Sequence, residues 1–279
     1  MAHHYLHPRR TFFRNTIITA AACSHAGAAS ARSGVTRLRM GGPVPAKDPE
    51  SWIAALRKEG YRACYCPVGA NATDDVVKAY REAASKAGIV IAEVGAWSNP
   101  ISPKTEVRDA AIKKCKAQLD LADRIGALCC VNITGSRNPE LWSGPHEDNL
   151  TDAAFDLIVE TTRDIVDAVK PKRTFYTLET MPWAYPDSVD SYVRLIKAID
   201  RKACAAHFDP VNIVTSPQRY YKNGAMIREG FKKLGPYLKS CHGKDIILRT
   251  KLTTHLDEIR PGLGGLDYWT FLKELGKMP

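Results

Sequence analysis

The sequence predicts an α/β protein folded as a (β/α)8 barrel, and three observations carry that expectation. Short apolar strands alternate with amphipathic helices from about residue 36 to the end. The strands lack a clean inside–outside alternation, as strands buried on both faces do. Seven β-then-α units followed by a last helix suit parallel strands curling into a barrel better than an open doubly wound sheet. No G-x-G-x-x-G follows the first strand, which argues further against a dinucleotide-binding sheet.

The strands are expected at 36–40, 62–66, 89–95, 128–134, 174–179, 204–209 and 237–242. They are rich in Val, Ile, Cys, Tyr and Phe. The intervening helices show a period near 3.6. One apolar face runs through Ala111, Cys115, Leu119, Ala122 and Ile125, a second through Leu150, Ala154, Leu157, Thr161, Ile165 and Val169. A third follows Val189, Val193, Ile196 and Ile199. Thr73 and Ser188 stand where helix N-caps belong. The last helix is expected at 266–275, and the eighth barrel strand should follow it. Only Gly276 to Pro279 remain there, so the barrel is expected to lack strand eight and its helix.

The domain plan is a leader over residues 1–31 and one barrel over 32–279. Arg9-Arg10-Thr11-Phe12-Phe13-Arg14, a mildly apolar stretch and Ala29-Ser30-Ala31 resemble a twin-arginine export signal with its cleavage site. That reading implies a periplasmic protein. The alternative is a cytoplasmic protein with an N-terminal extension. Several of the seven cysteines outside the leader lie in apolar runs and none forms a C-x-x-C pair, so they read as core residues.

The formal charge is +10, and removing the leader's three arginines leaves 37 basic against 30 acidic residues. The excess is spread along the chain, which offers nucleic acid no concentrated basic face. No run of about 18 uncharged apolar residues is present, so no membrane span is expected. A small molecule is the expected partner, and the assembly is left open to a homo-oligomer.

In a (β/α)8 barrel the chemistry sits where strands end at the C-terminal face. Strand five ends in Leu178-Glu179-Thr180, strand six in His207-Phe208-Asp209 and strand seven in Ser240-Cys241-His242. The spacings are 30 and 33 residues, one βα unit each. Three neighbouring strands would thus present Glu179, Asp209 and His242 at one rim. Two carboxylates and an imidazole suit a divalent metal such as Mn2+, Mg2+, Co2+ or Zn2+. Each residue alone is ordinary, since a carboxylate after a strand is often a helix cap. It is the set at matched spacing that points to a site.

Four segments sharpen this reading. Leu178-Glu179-Thr180-Met181-Pro182-Trp183, His207-Phe208-Asp209-Pro210-Val211-Asn212, Cys241-His242-Gly243-Lys244-Asp245 and Pro261-Gly262-Leu263-Gly264-Gly265-Leu266-Asp267-Tyr268 resemble the xylose isomerase-like sugar isomerase and epimerase family. The resemblance covers about residues 36–275. It implies a metal held by Glu179, Asp209 and His242 and by a further Glu on strand eight, for which this sequence has no counterpart. It also implies a sugar or sugar phosphate substrate, isomerised or epimerised through an enediolate, with Glu179 serving as general base as well as ligand. Trp183, His207, Asn212, Lys244 and Asp245 are the candidate substrate contacts, Asp245 with a second role in orienting His242. Asn212 stands where epimerases of this family often carry a His. The alternatives are a keto-inositol dehydratase, which uses the same enediolate, and an incomplete barrel that binds metal or sugar without turnover. An abasic-site endonuclease of this fold needs a His-rich three-metal cluster. Only His146, His207, His242 and His255 lie outside the leader, too few for that chemistry.

Overall fold

A computed structural model describes residues 38–278. The leader, with its proposed export signal and Cys23, lies outside the described residues. In chain order the elements are β1 (Gly41–Gly42), α1 (Pro49–Lys58), β2 (Ala63–Tyr65), α2 (Asp74–Ala87), β3 (Val90–Gly95), α3 (Thr105–Ile125), β4 (Cys129–Asn132) and α4 (Asp152–Val169). There follow β5 (Phe175–Glu179), α5 (Val189–Ile199), β6 (Cys204–Phe208), α6 (Pro217–Tyr221), α7 (Asn223–Leu234), β7 (Leu238–Cys241), β8 (Asp245–Leu248), β9 (Leu256–Ile259) and α8 (Tyr268–Leu275). Strands β1 to β7 form one sheet in sequential order, every neighbouring pair parallel, curled as a half-barrel with β1 and β7 at its edges.

Helix ends follow from local chemistry. Thr73 and Ser188 accept the backbone N–H groups of Val76 and Ser191, capping α2 and α5. Gly88 and Gly126 end α2 and α3 at φ of 67° and 78°, a conformation that costs a residue with Cβ. The α3 face expected from the 3.6 period is the buried one, with Ala111, Cys115, Leu119, Ala122 and Ile125 all in the core. On α4 the buried face turns to Phe155, Ile158 and Val159 along with Ala154, Thr161 and Ile165. Leu150 precedes that helix and is exposed.

Two elements depart from the sequence reading. The first strand is Gly41–Gly42, after the expected segment, and its ladder begins where Met40 O accepts from Arg62 and Ala63. A Cβ on Gly41 would meet Ala63 O at 2.4 Å, so bare glycine permits this close pairing while hiding it from β-propensity. After β7 the chain forms an antiparallel hairpin, β8 with β9, that the reading did not include.

Candidate active site

Strands β5, β6 and β7 bring three side chains to one point. Glu179 is the last residue of β5, and its register partner on β6 is His207. Asp209 follows β6 and is buried, and its Oδ1 accepts the Val211 N–H at 3.0 Å. His242 follows β7, donating its backbone N–H to Phe208 O. His242 Nδ1 lies 3.1 Å from Glu179 Oε1 and 4.0 Å from Asp209 Oδ2. One ligand atom from each of the three lies within 4.8 Å of the others.

The surrounding residues split into two groups. Lys244 reaches into the cluster, with Nζ 2.9 Å from Asp209 Oδ2 and 3.4 Å from Glu179 Oε1. Asn212 donates from Nδ2 to Glu179 Oε1 at 3.2 Å and to Thr180 O at 2.9 Å. His207 is fully buried, its Nδ1 2.6 Å from Ser240 Oγ. Trp183 sits at the rim and donates from Nε1 to Ser143 O at 2.8 Å. Asp245 points away from the cluster. Its carboxylate accepts backbone N–H groups from Ile246, Gly262, Gly264 and Leu266 at 2.8 to 3.0 Å.

Glu93 was not singled out from the sequence. It lies inside β3, is buried, and its Oε1 is 3.1 Å from His242 Nε2. Its Oε2 is 3.5 Å from His207 Nδ1, and neither that oxygen nor His207 Nε2 has a hydrogen-bond partner among the described residues. The available signal was a lone acid within the apolar run Val90-Ile91-Ala92-Glu93-Val94. Glu258 of β9 also reaches Lys244, at 3.7 Å.

A family model for the xylose isomerase-like TIM barrel matches residues 53–279. The chain belongs to that family. No curated protein matches the sequence. Among solved structures, the xylose isomerase-like barrel resembles a TIM barrel protein of Mycobacterium smegmatis in complex with magnesium (19% identity, TM-score 0.59, 83% of this chain and 79% of that one). It also resembles the 3-keto-D-glucoside 4-epimerase of E. coli (12%, TM-score 0.59, 85% and 86%). A third is a probable 3-DHS dehydratase of Bacillus anthracis (14%, TM-score 0.60, 81% and 82%). At these identities the likeness is one of fold.

The charges of this xylose isomerase-like site are tightly matched. Burial is the largest single influence on Glu179 and opposes its ionisation, but the His242 hydrogen bond together with the charges and hydrogen bonds of its other neighbours holds the carboxyl below its usual range. Burial raises the Asp209 carboxyl, with Lys244 pulling the other way. Burial lowers the His242 imidazole, yet hydrogen bonds to Glu179 and Glu93 lift it to about 10. Burial pushes His207 down to about 4, so it is neutral at pH 7. The donor set of Glu179, Asp209 and His242 fits a divalent ion in both chemistry and spacing. The Lys244 ammonium lies against two of the carboxylates that would hold such an ion.

Glu179, Asn212 and Lys244 line a cleft of about 330 Å3 walled by Trp97, Trp142, Met181 and Trp183. The loop between β4 and α4 supplies Trp142 and Ser143 to it. Asn99 and Arg137 instead brace that loop, through Ser136 O and Ile101 O, while His146 Nδ1 accepts the Asp148 N–H. Among the described residues no helix is long and apolar enough to cross a membrane.

Proposed function

We propose that this chain is a divalent-metal-dependent isomerase or epimerase of a sugar or sugar phosphate, working by proton transfer next to a carbonyl. The observation that carries the reading is the meeting of Glu179, Asp209 and His242 where three adjacent strands end, with Glu179 lining an open cleft. Glu179, Asp209 and His242 would hold the ion. When bound, it supplies positive charge that stabilises negative charge growing on neighbouring sugar oxygens.

The chain's own residues do the rest. Glu179 stays ionised at neutral pH, as a base must, and its Oε1 faces Asn212 Nδ2 and Lys244 Nζ. It accepts the proton from the sugar carbon. Lys244, held protonated by Asp209 and Glu179, is positioned to donate to a developing oxyanion. Asn212 keeps the Glu179 carboxylate in one orientation through its second bond to Thr180 O. Trp97, Trp142 and Trp183 line the cleft with apolar surface.

Two related activities bracket this reading, since one structural neighbour is a 3-keto-D-glucoside epimerase and another a probable dehydratase. Loss of a neighbouring hydroxyl after the same proton abstraction would be dehydration. Incubation of the metal-loaded protein with a keto-sugar panel in deuterated water tests the proposal. Deuterium should enter the carbon next to the carbonyl, and Glu179→Gln should abolish its entry while the protein keeps its fold. Exchange at the wild-type rate in that variant would remove Glu179 from the role, and loss of water from the product would favour the dehydratase.

A further inference from the structure

The loop where a barrel would seat a phosphoryl group is already filled from within. In (β/α)8 barrels a phosphate commonly rests on backbone N–H groups of loops after the last strands and on the N-terminus of a short helix. Here the matching segment is the glycine-rich stretch 261–267 leading into α8. Its Gly262, Gly264 and Leu266 N–H groups all converge on the Asp245 carboxylate, at 2.9, 2.9 and 3.0 Å. Asp245 is 1% exposed, and a Cβ on Gly264 would stand 2.3 Å from its Oδ1, so no space is left between loop and carboxylate. An internal anion thus takes the donors an external one would use. The first turn of α8 is capped by Asp267, which accepts the Thr270 N–H.

Cations elsewhere do not replace that loop. Lys244 is the only Lys or Arg among the described residues lining the active-site cleft, and two carboxylates hold it. The rim is aromatic instead. Trp97, Trp142 and Trp183 are 37, 46 and 39% exposed at a concave site, apolar faces of the kind that pack against the C–H faces of a sugar ring. Trp97 and Trp142 also wall a second cavity of about 560 Å3, bounded by Val107 and Ala110 of α3. Its one lysine, Lys114, donates to Trp97 O at 3.0 Å. The two cavities share two indoles, so a ligand larger than one ring has an apolar seat beside the first.

We propose that the substrate is an unphosphorylated glycoside of two rings, its reacting ring over Glu179 and its second ring against Trp97 and Trp142. This rests on the sugar-transforming reading above and narrows it.

The test is calorimetric titration of the Mn2+-loaded protein with glucose, glucose 6-phosphate, cellobiose and maltose, repeated on Ala110→Gln, a site that lines the second cavity and not the first. At least one disaccharide should bind about tenfold more tightly than glucose, the scale of one added aromatic platform, and the phosphate should bring no gain. Ala110→Gln should remove that advantage and leave glucose binding within about twofold. Tighter binding of glucose 6-phosphate than of both disaccharides overturns the proposal. So does an equal loss for glucose and disaccharide in the variant, or no saturable binding of any of the four. Deuterium exchange on the same sugars separates the two readings. Selective disaccharide binding without exchange would leave this proposal standing and sink the isomerase. Exchange confined to sugar phosphates would do the reverse.

Discussion

His242 has both ring nitrogens engaged, Nδ1 with Glu179 and Nε2 with Glu93. A metal bound at Nδ1 needs the lone pair there, so the ring proton must sit on Nε2, where Glu93 accepts it. Carboxylate partners of this kind orient metal-binding histidines and raise their basicity. Glu93→Gln keeps the shape and removes the charge. It should weaken Mn2+ binding by about 10–100-fold. Titration of the metal-free variant reads this directly, with its melting curve as the control for folding. Unchanged affinity would make Glu93 a packing residue only. At this scale the sequence was informative where an apolar run stops. Glu179 closes its strand and Asp209 and His242 each follow theirs directly, so the three stand out at matched spacing. Glu93 does not, because β3 continues past it to Gly95 and its partner His242 is 149 residues away. Lys244 and Asp245 are adjacent in sequence and serve opposite sides, one the carboxylate cluster and the other the glycine-rich loop.

The elements were legible in proportion to their apolar periodicity. Strands β2 to β7 lie within the segments expected from the sequence, trimmed by a residue or more at their ends. The hairpin was not legible, because β9 reads Leu-Asp-Glu-Ile with its two middle residues exposed and presents no apolar run. Its register, Asp245 opposite Ile259 and Leu248 opposite Leu256, is set by pairing that single-strand patterns do not encode. Asp245 joins this hairpin to the loop before α8. Asp245→Ala would strip the acceptor from three loop amides, and each buried donor left unpaired costs about 1–3 kcal/mol. For a domain of this size each kcal/mol lowers the melting temperature by about 2–4 °C. A fall of at least about 5 °C in a thermal melt is therefore expected. An unchanged melt would mean that water satisfies the loop as well as the carboxylate does.

At the scale of the whole molecule, the alternation of strand and helix sufficed to predict the parallel curled sheet, since buried parallel strands and amphipathic helices leave a strong pattern. The cysteines complete that picture. All seven in the described residues are free, and five are buried. Burial pushes the thiols of Cys64, Cys129 and Cys204 up to about 12, and that of Cys66 to about 11. The thiolate is the reactive form. At pH 8 a thiol near 12 is ionised about once in ten thousand molecules, against roughly one in four for an exposed cysteine. Native protein at pH 8 should therefore show almost no labelling of Cys129 or Cys204 by iodoacetamide, and full labelling in guanidinium, read by peptide mass spectrometry. The sign of the linked stability follows. The folded state holds these protons more tightly than the unfolded chain, whose thiols titrate at about 8.5. Their contribution is thus complete below about pH 8 and declines as pH rises from 9 toward 12. The urea midpoint should fall steadily above pH 9. Rapid labelling of Cys129 or Cys204 in the native protein, or a midpoint flat to pH 10.5, would place these thiols in contact with water and contradict the packed interior of the sheet.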